Sequence, residues 1–392
     1  MNVVGSLRGI LAPESHPELR ALPLGRGRWQ VLFGRDERPL LLPAADYHLQ
    51  SRCLTYFIPG GAKAAYARAL LGVNAALPGL GLVPEFRIED GPRGFLSRQI
   101  PLGRPVYTAV QIGTPGPFRK ATALLVSGEG EGYLNAKIAM VPGADRQISQ
   151  EAGWLRELEV QRELENQIPR LLSEEIAPNG RRCLVTTLAE GSTSTREFTT
   201  AHLAFLAALG RVDRNVMSFA TSPCCESLES NLVAIEPHLM PGERSVLKAA
   251  LADCRLLLRD WMGPFVIGHG DFVPWNIRVQ SDRIFVFDWE YARAGANPLA
   301  DAFNFRIMPR ALSRRAPGAA FLGDAIRQVR KAADLLYPEF TWRARAVSGL
   351  GLAYLLDVLL HYTVASRSLV RTHPVIARYL RLIEESSAWI GT

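Results

Sequence analysis

The sequence predicts an α+β chain of two lobes: a small antiparallel β-rich lobe and a larger, mainly helical one, behind an N-terminal extension. Three observations predict it. Alternating apolar residues recur in three runs between residues 106 and 141, joined by Gly-rich turns. After residue 195 the apolar spacing changes to the helical period. A short apolar strand and a tight hairpin at 264–287 then interrupt the helices with a cluster of polar residues.

Taken in order, residues 1–95 are rich in Pro and Gly, with strand-like runs WQVLF (29–33) and PLLLP (39–43) and a helical pattern at 62–78. This extension has no role legible from its residues. The second segment, 96–190, holds VYTAVQI (106–112), KATALLVS (120–127) and YLNAKIAMV (133–141), joined by GTPGPFR (113–119) and GEGEG (128–132). A helix is expected over 149–166, then a further strand in RCLVTTLAEG (182–191). The third segment, 191–392, begins with Leu203, Leu206, Ala207 and Gly210 on one helical face. Over 241–261, Leu247, Ala250, Leu251, Cys254, Leu257, Leu258 and Trp261 keep one apolar stripe, which makes Cys254 a core residue. PFVIGHG (264–270) reads as a buried strand, IRV (277–279) and RIFVF (283–287) as a hairpin around Ser281–Asp282, and the chain from 299 as helices.

The chain has 392 residues, 48% of them hydrophobic and 21% charged, a globular composition that excludes wholesale disorder and collagen-like character. Its five cysteines form no CxxC pair, which argues against a zinc site or a disulfide framework. Net charge is +7, and residues 301–392 carry 13 Lys plus Arg against 7 Asp plus Glu, or 13 − 7 = +6. Such a surface attracts anions, unless the arginines are only solvated helix faces. No basic run is interleaved with aromatics, so a nucleic-acid partner is not expected. The start, MNVVGSLRGIL, lacks a secretory core, and the apolar stretch 346–360 is interrupted by Asp357, followed by His361. A buried helix, no transmembrane segment and a cytoplasmic location are the expectations.

The chemistry is concentrated in GHGDFVPWNIRVQSDRIFVFDWEYARAGANPLAD, residues 268–301. Asp271 lies on a loop after a buried strand, Asn276 follows five residues on, and Asp288 ends the return strand of the hairpin. Two carboxylates and an amide at a hairpin's open end suit Mg²⁺, which shares its shell with phosphates. A carboxylate left off the metal can accept a proton from an attacking hydroxyl.

His269-Gly270-Asp271 with Asn276, then Asp288-Trp289-Glu290, resembles the catalytic loop and metal motif of the aminoglycoside phosphotransferase and choline kinase superfamily, small-molecule kinases with a protein-kinase-like fold. The match spans about residues 104–305. The resemblance implies Asp271 as general base, Asn276 and Asp288 as Mg²⁺ ligands, and ATP as phosphoryl donor. It makes 96–190 a nucleotide-binding lobe and 191–392 the lobe of the catalytic loop and acceptor site. His269 would be a structural hydrogen-bonder and Asp301 a brace for the loop. Glu290 would touch metal or substrate, or only an arginine, and Trp289 would pack or meet the acceptor. Lys137 on the third strand would grip the α- and β-phosphates. Its partner is expected to be Glu157, with Glu151 and Glu159 as alternatives, unless Lys137 is an edge-strand lysine facing water. The loop from Gly113 through Thr114 to Gly116 would cover the phosphates, with Arg119 or Lys120 adding charge, although it lacks a GxGxxG pattern. Thr187, Leu188 and Ala189 would form the hinge that meets adenine.

The expected function is transfer of the ATP γ-phosphoryl group to a hydroxyl of a small molecule: an amino alcohol, a sugar or a lipid-linked saccharide. The +6 C-terminal region disfavours a polycationic aminoglycoside acceptor and tilts the expectation toward an anionic one. A pseudokinase or scaffold with the same fold is the alternative.

Overall fold

The computed structural model describes residues 27–32, 38–58, 61–77, 82–83, 85–88, 96, 106–128, 132–189, 191–194, 197–313, 316–366 and 374–390. The segment before residue 27, the middle of the GEGEG turn (129–131) and residues 89–95, where the first boundary is drawn, lie outside the described residues. The chain divides into two compact units: 1–156 with 169–188, and 157–168 with 189–392.

The first unit is built on an antiparallel sheet. Its strands are β1 (Gly27–Leu32), β2 (Leu40–Pro43), β3 (Glu85–Ile88), β4 (Val106–Ile112), β5 (Lys120–Ser127), β6 (Gly132–Ala139), β7 (Leu171–Ile176) and β8 (Arg182–Thr187). Their spatial order is β3-β1-β2-β4-β5-β6-β8-β7. The extension's strands therefore continue the meander, with β2 paired to β4 through Leu40↔Gln111 and Leu41↔Val110. Period-2 geometry explains the unbroken apolar run in β2. Leu41 packs with Trp29, Val110 and Ile138 on one face, while Leu40 and Leu42 pack on the other with Leu49, Leu54 and Leu71. The latter three come from α1 (Tyr47–Phe57) and α2 (Gly61–Ala76). Asp46 caps α1, its carboxylate accepting from the Leu49 N–H at 2.9 Å.

The helix expected at 149–166 instead spans Pro142–Glu159 (α3). Proline is preorganised for a first helical turn, and past Glu159 the chain is already extended at Gln161, with φ −88° and ψ 105°. Strand β7 has no apolar alternation to announce it; its Glu174 takes ion pairs from Arg156 and Arg182 instead.

The second unit holds two three-stranded sheets among helices. One sheet runs β10-β11-β14, formed by Arg214–Ser218, Met262–Gly268 and Arg293–Ala296; the other runs β13-β12-β9, formed by Arg283–Val286, Ile277–Gln280 and Ser192–Thr193. The hairpin turns at Ser281–Asp282, with Gln280 paired to Arg283. The helices are α4 (Thr200–Val212), α5 (Pro223–Ile235), α6 (Pro241–Leu257), α7 (Ala300–Ala311), α8 (Ala319–Leu336), α9 (Ala344–Ser366) and α10 (Pro374–Glu384). The buried stripe of α4 is centred on His202, Phe205, Leu206 and Leu209, so Leu203 and Ala207 only flank it. Cys254 is fully buried on α6, as the apolar stripe requires. Among the described residues one helix, Ala344–Val364, is long and apolar enough to cross a membrane, yet 72% of that window is buried inside the protein. Its Asp357 is paired with both terminal nitrogens of Arg293, one at 2.9 Å.

His202 closes the first turn of α4. Its Nδ1 accepts from the Thr199 N–H at 3.1 Å, which leaves the proton on Nε2 to donate to Ser194 Oγ at 3.1 Å. Burial pushes its pKa down from 6.5 to about 4. The unfolded chain therefore binds the extra proton first as pH falls below 6.5, and stability is lost until about pH 4. Between pH 7 and 5 this site should cost about 2 kcal/mol of unfolding free energy. Urea titrations at the two pH values should show that loss in the native protein and lose it in His202→Gln, whose amide can still cap but does not titrate.

Candidate active site

Strand β11 sets the site's position. Its ladder to β14 ends at Gly268↔Arg293, so the next backbone N–H groups have no strand partner. Asp301, in the first turn of α7, takes both: Oδ2 accepts from His269 N–H at 2.7 Å and Oδ1 from Gly270 N–H at 3.0 Å. The close approach needs glycine at 268, where a Cβ would lie 2.8 Å from the Ala296 Cβ. Gly270 sits at φ +80°, and a Cβ there would come within 2.3 Å of the Tyr291 carbonyl oxygen. Burial raises the Asp301 pKa to about 6, opposed by these two donors and by Arg293.

His269 is fully buried and hydrogen-bonded as a single tautomer. Its Nε2 donates to the Phe287 carbonyl at 3.1 Å, and its Nδ1 accepts from the Asp271 N–H at 3.2 Å. This is the structural role expected for it. Trp289 is likewise fully buried, stacked edge-on against His269 with ring centroids 4.6 Å apart and donating to the Val286 carbonyl at 3.1 Å. It packs the loop and is closed to an acceptor.

Asp271 and Asn276 meet directly. Asn276 Nδ2 donates to Asp271 Oδ2 at 2.8 Å and to the Asp271 carbonyl at 3.1 Å. The Asn276 backbone carbonyl accepts from the Phe287 N–H at 3.1 Å, which ties the loop to the hairpin end that carries Asp288. Asp288 adopts φ +75°, and Glu290 beyond it is buried. The Asp271 carboxyl is pushed up to about 7, chiefly by burial and next by the negative charge of Asp288, against the Asn276 donor. With its nitrogen committed to Asp271, Asn276 has its amide oxygen for a ligand, and Asp288 supplies a carboxylate. This oxygen-only donor set, in which two carboxylates repel each other, fits Mg²⁺.

In the first unit, Lys137 lies on β6, opposite Thr122 of β5 and Leu184 of β8. It is an interior strand position, which excludes the edge-strand reading. Its buried Nζ is held by both oxygens of the buried Glu151, at 2.6 and 2.7 Å. The expected partner, Glu157, is exposed, as is Glu159. The stripe of α3 that faces inward is Ile148, Glu151, Ala152, Leu155 and Leu158, one residue every three or four, and Glu157 falls off it. Between β4 and β5, Gly113 N–H donates to the Lys120 carbonyl at 2.8 Å, and Arg119 Nε donates to the Gly113 carbonyl at 3.1 Å. Lys120 Nζ donates to Gln147 at 3.1 Å. Thr114 and Gly116 are exposed at the loop's tip. Strand β8 ends at Thr187, paired with Leu134, and Leu188 and Ala189 continue beyond the ladder.

The family model described as phosphotransferase enzyme family, APH, matches residues 124–343, more than half of the chain. The chain belongs to that family. Its fold is also similar to that of a thermostable mutant of aminoglycoside phosphotransferase APH(4)-Ia in its apo form, at 15% identity and a TM-score of 0.50, covering 72% of this chain and 95% of that one. ADP-bound aminoglycoside phosphotransferase APH(2'')-Ib matches at 16% identity and a TM-score of 0.47, covering 75% and 97%. A comparison with curated proteins found no match. The bilobal kinase-like fold class and the superfamily expected from the sequence both hold for this phosphotransferase.

Sequence reasoning missed Asn304, Tyr354 and Tyr379, a polar group beside Asp271 in the phosphotransferase. Tyr354 Oη donates to Asn304 Oδ1 at 2.9 Å and lies 2.7 Å from Tyr379 Oη. For Tyr354 the available signal was a hydroxyl inside a strongly apolar helix; Asn304 and Tyr379 sit in amphipathic helices and carry no such signal. Replacing Asp301 with alanine orphans the buried N–H of His269 and the more exposed one of Gly270, and should lower unfolding free energy by about 3 kcal/mol, read from the urea midpoint. Glu151→Ala should cost about 3 kcal/mol by stranding the Lys137 charge, whereas Glu157→Ala should stay within about 0.5 kcal/mol.

Proposed function

We propose that this phosphotransferase moves the γ-phosphoryl group of ATP to a hydroxyl of a small molecule. The observation that carries the reading is the hydrogen-bonded Asp271–Asn276 pair, with the charge of Asp288 close enough to raise the Asp271 pKa. Asp271 takes the part of general base. The acceptor's oxygen forms a bond to the γ-phosphorus, the bond from that phosphorus to the bridging oxygen breaks, and ADP leaves with the electron pair. The acceptor's proton passes to the Asp271 carboxylate.

Asn276 and Asp288 would hold Mg²⁺, which when bound supplies positive charge to the phosphate oxygens. Lys137, kept extended by Glu151, takes the α- and β-phosphates. The turn containing Gly113, Thr114 and Gly116 offers backbone N–H groups to them, and the chain at Thr187, Leu188 and Ala189 takes the adenine. Little covalent chemistry falls to the protein, so the rate depends on how rigidly Asp271 is aimed. The two bonds from Asn276 and the one from Asp271 N–H to His269 supply that rigidity.

The acceptor we propose is an anionic hydroxyl compound, on the +6 balance of residues 301–392. Incubation with Mg-ATP and a panel of hydroxylated metabolites should give phosphate transfer that falls about 1000-fold in Asp271→Asn. Equal turnover by that variant would overturn the assignment of the base. A strong preference for polycationic acceptors would overturn the anionic choice alone.

A further inference from the structure

Asn304 is almost wholly buried, yet its Nδ2 makes no hydrogen bond with any protein atom. Buried amide donors are nearly always satisfied, so an orphan of this kind needs an explanation. The amide is not free to turn. Its Oδ1 accepts from Tyr354 Oη at 2.9 Å, and the Tyr354 oxygen is itself 2.7 Å from Tyr379 Oη, with both tyrosines buried. For Tyr354 to donate to Asn304, Tyr379 must donate to Tyr354. The relay therefore has one direction, and it turns the Nδ2 side away from the tyrosines.

What that side faces is Asp271. Asn304 lies three residues after Asp301 on α7, one helical turn along the same face. Asp301 holds the two N–H groups that precede Asp271 in the loop. The amide acts on the Asp271 carboxylate as a donor that favours its charged form, although it stands outside hydrogen-bond geometry.

We infer that Asn304 is a positioning residue for Asp271, its Nδ2 held by Tyr354 and Tyr379 so that it closes on the carboxylate when the site is filled. With Asn276 on one side and Asn304 on the other, the carboxylate has a single plane in which to meet the acceptor hydroxyl. This rests on the proposed role of Asp271 as base. The arrangement accounts for a buried donor with no hydrogen-bonded protein partner: its partner is the carboxylate in its working position.

The test uses the full chain and Mg-ATP with water as acceptor, reading ADP release and the urea midpoint for Asn304→Leu, Tyr354→Phe and Asp271→Asn. Leucine keeps the heavy-atom branching of asparagine, with bulkier methyl groups, and lacks the donor. Its variant should release ADP about 100-fold more slowly, with KM for Mg-ATP within about twofold and a midpoint no lower than native. A residue that only packs would leave turnover at the native rate. Tyr354→Phe keeps the amide but frees it to rotate, and should lower kcat about 10-fold without changing KM. If Asn304→Leu lowers the midpoint, the Tyr354→Phe split decides: a fall in kcat at constant KM supports the positioning role, and native kcat overturns it. Native turnover in Asn304→Leu together with a slow Asp271→Asn overturns the positioning role and leaves the base assignment standing. Native turnover in Asp271→Asn overturns the base, and the positioning role with it.

Discussion

A strand that must end and turn sharply leaves backbone donors unpaired, and here one carboxylate accepts both of them. Asp301 accepts from the N–H groups of His269 and Gly270, and the rest of the loop hangs from that pair of bonds. With Gly270 fixed in its left-handed conformation, the His269 ring is placed to accept from Asp271 and to donate to Phe287. Phe287 in turn donates to the Asn276 carbonyl. From Asp301 to Asn276 each backbone segment is therefore held by a named bond. The position of Asp301 in the first turn of α7 also sets its negative charge against the positive end of that helix.

Electrostatics in this corner favour work over stability. Asp271 feels repulsion from Asp288 and, more weakly, from Asp301, while its burial already disfavours charge. Folding alone gains nothing from crowding carboxylates, and Asp288 adds a left-handed backbone that a non-glycine residue adopts at some cost. Clusters of this kind are characteristic of sites where a ligand completes the charge balance. A divalent cation on Asn276 and Asp288 is the group we propose for that part. Arg293 and Asp357 make the contrast, since that half-buried pair is complete within the protein and its acid and base neutralise each other.

Much of this was legible in the chain. Strands β4 and β5 fall where alternation places them, because a meander buried on both faces leaves little freedom of register. The hairpin and the spacing of Asp271, Asn276 and Asp288 were legible because short loops tie geometry to residue count. Harder cases had physical reasons. Glu151, Glu157 and Glu159 share one helix, and flanking leucines in the sequence suggest burial for Glu157. Helical geometry says otherwise: only Glu151 shares the stripe of Ile148, Leu155 and Leu158. Counting by turns rather than by neighbours selects it. The N-terminal strands were legible as strands, but the pairing of β2 onto β4 joins segments some 70 residues apart, which no local pattern carries.

The same limit applies more strongly to α9. Its apolar character predicts burial, and it is buried, yet it carries Tyr354 and Asp357 within one turn. Each finds its partner on a different element: Tyr354 on Asn304 of α7, Asp357 on Arg293 of β14. Both partners flank the loop that carries Asp271. A core helix needs neither group for packing, and leucine at either position would avoid the desolvation that a buried polar group incurs. Their presence follows if α9 has a second task beyond filling the core, that of holding α7 and β14 in register behind the carboxylate. The polar residues in that apolar helix then serve the carboxylate from far along the sequence, and they are the part a periodicity argument is least able to see.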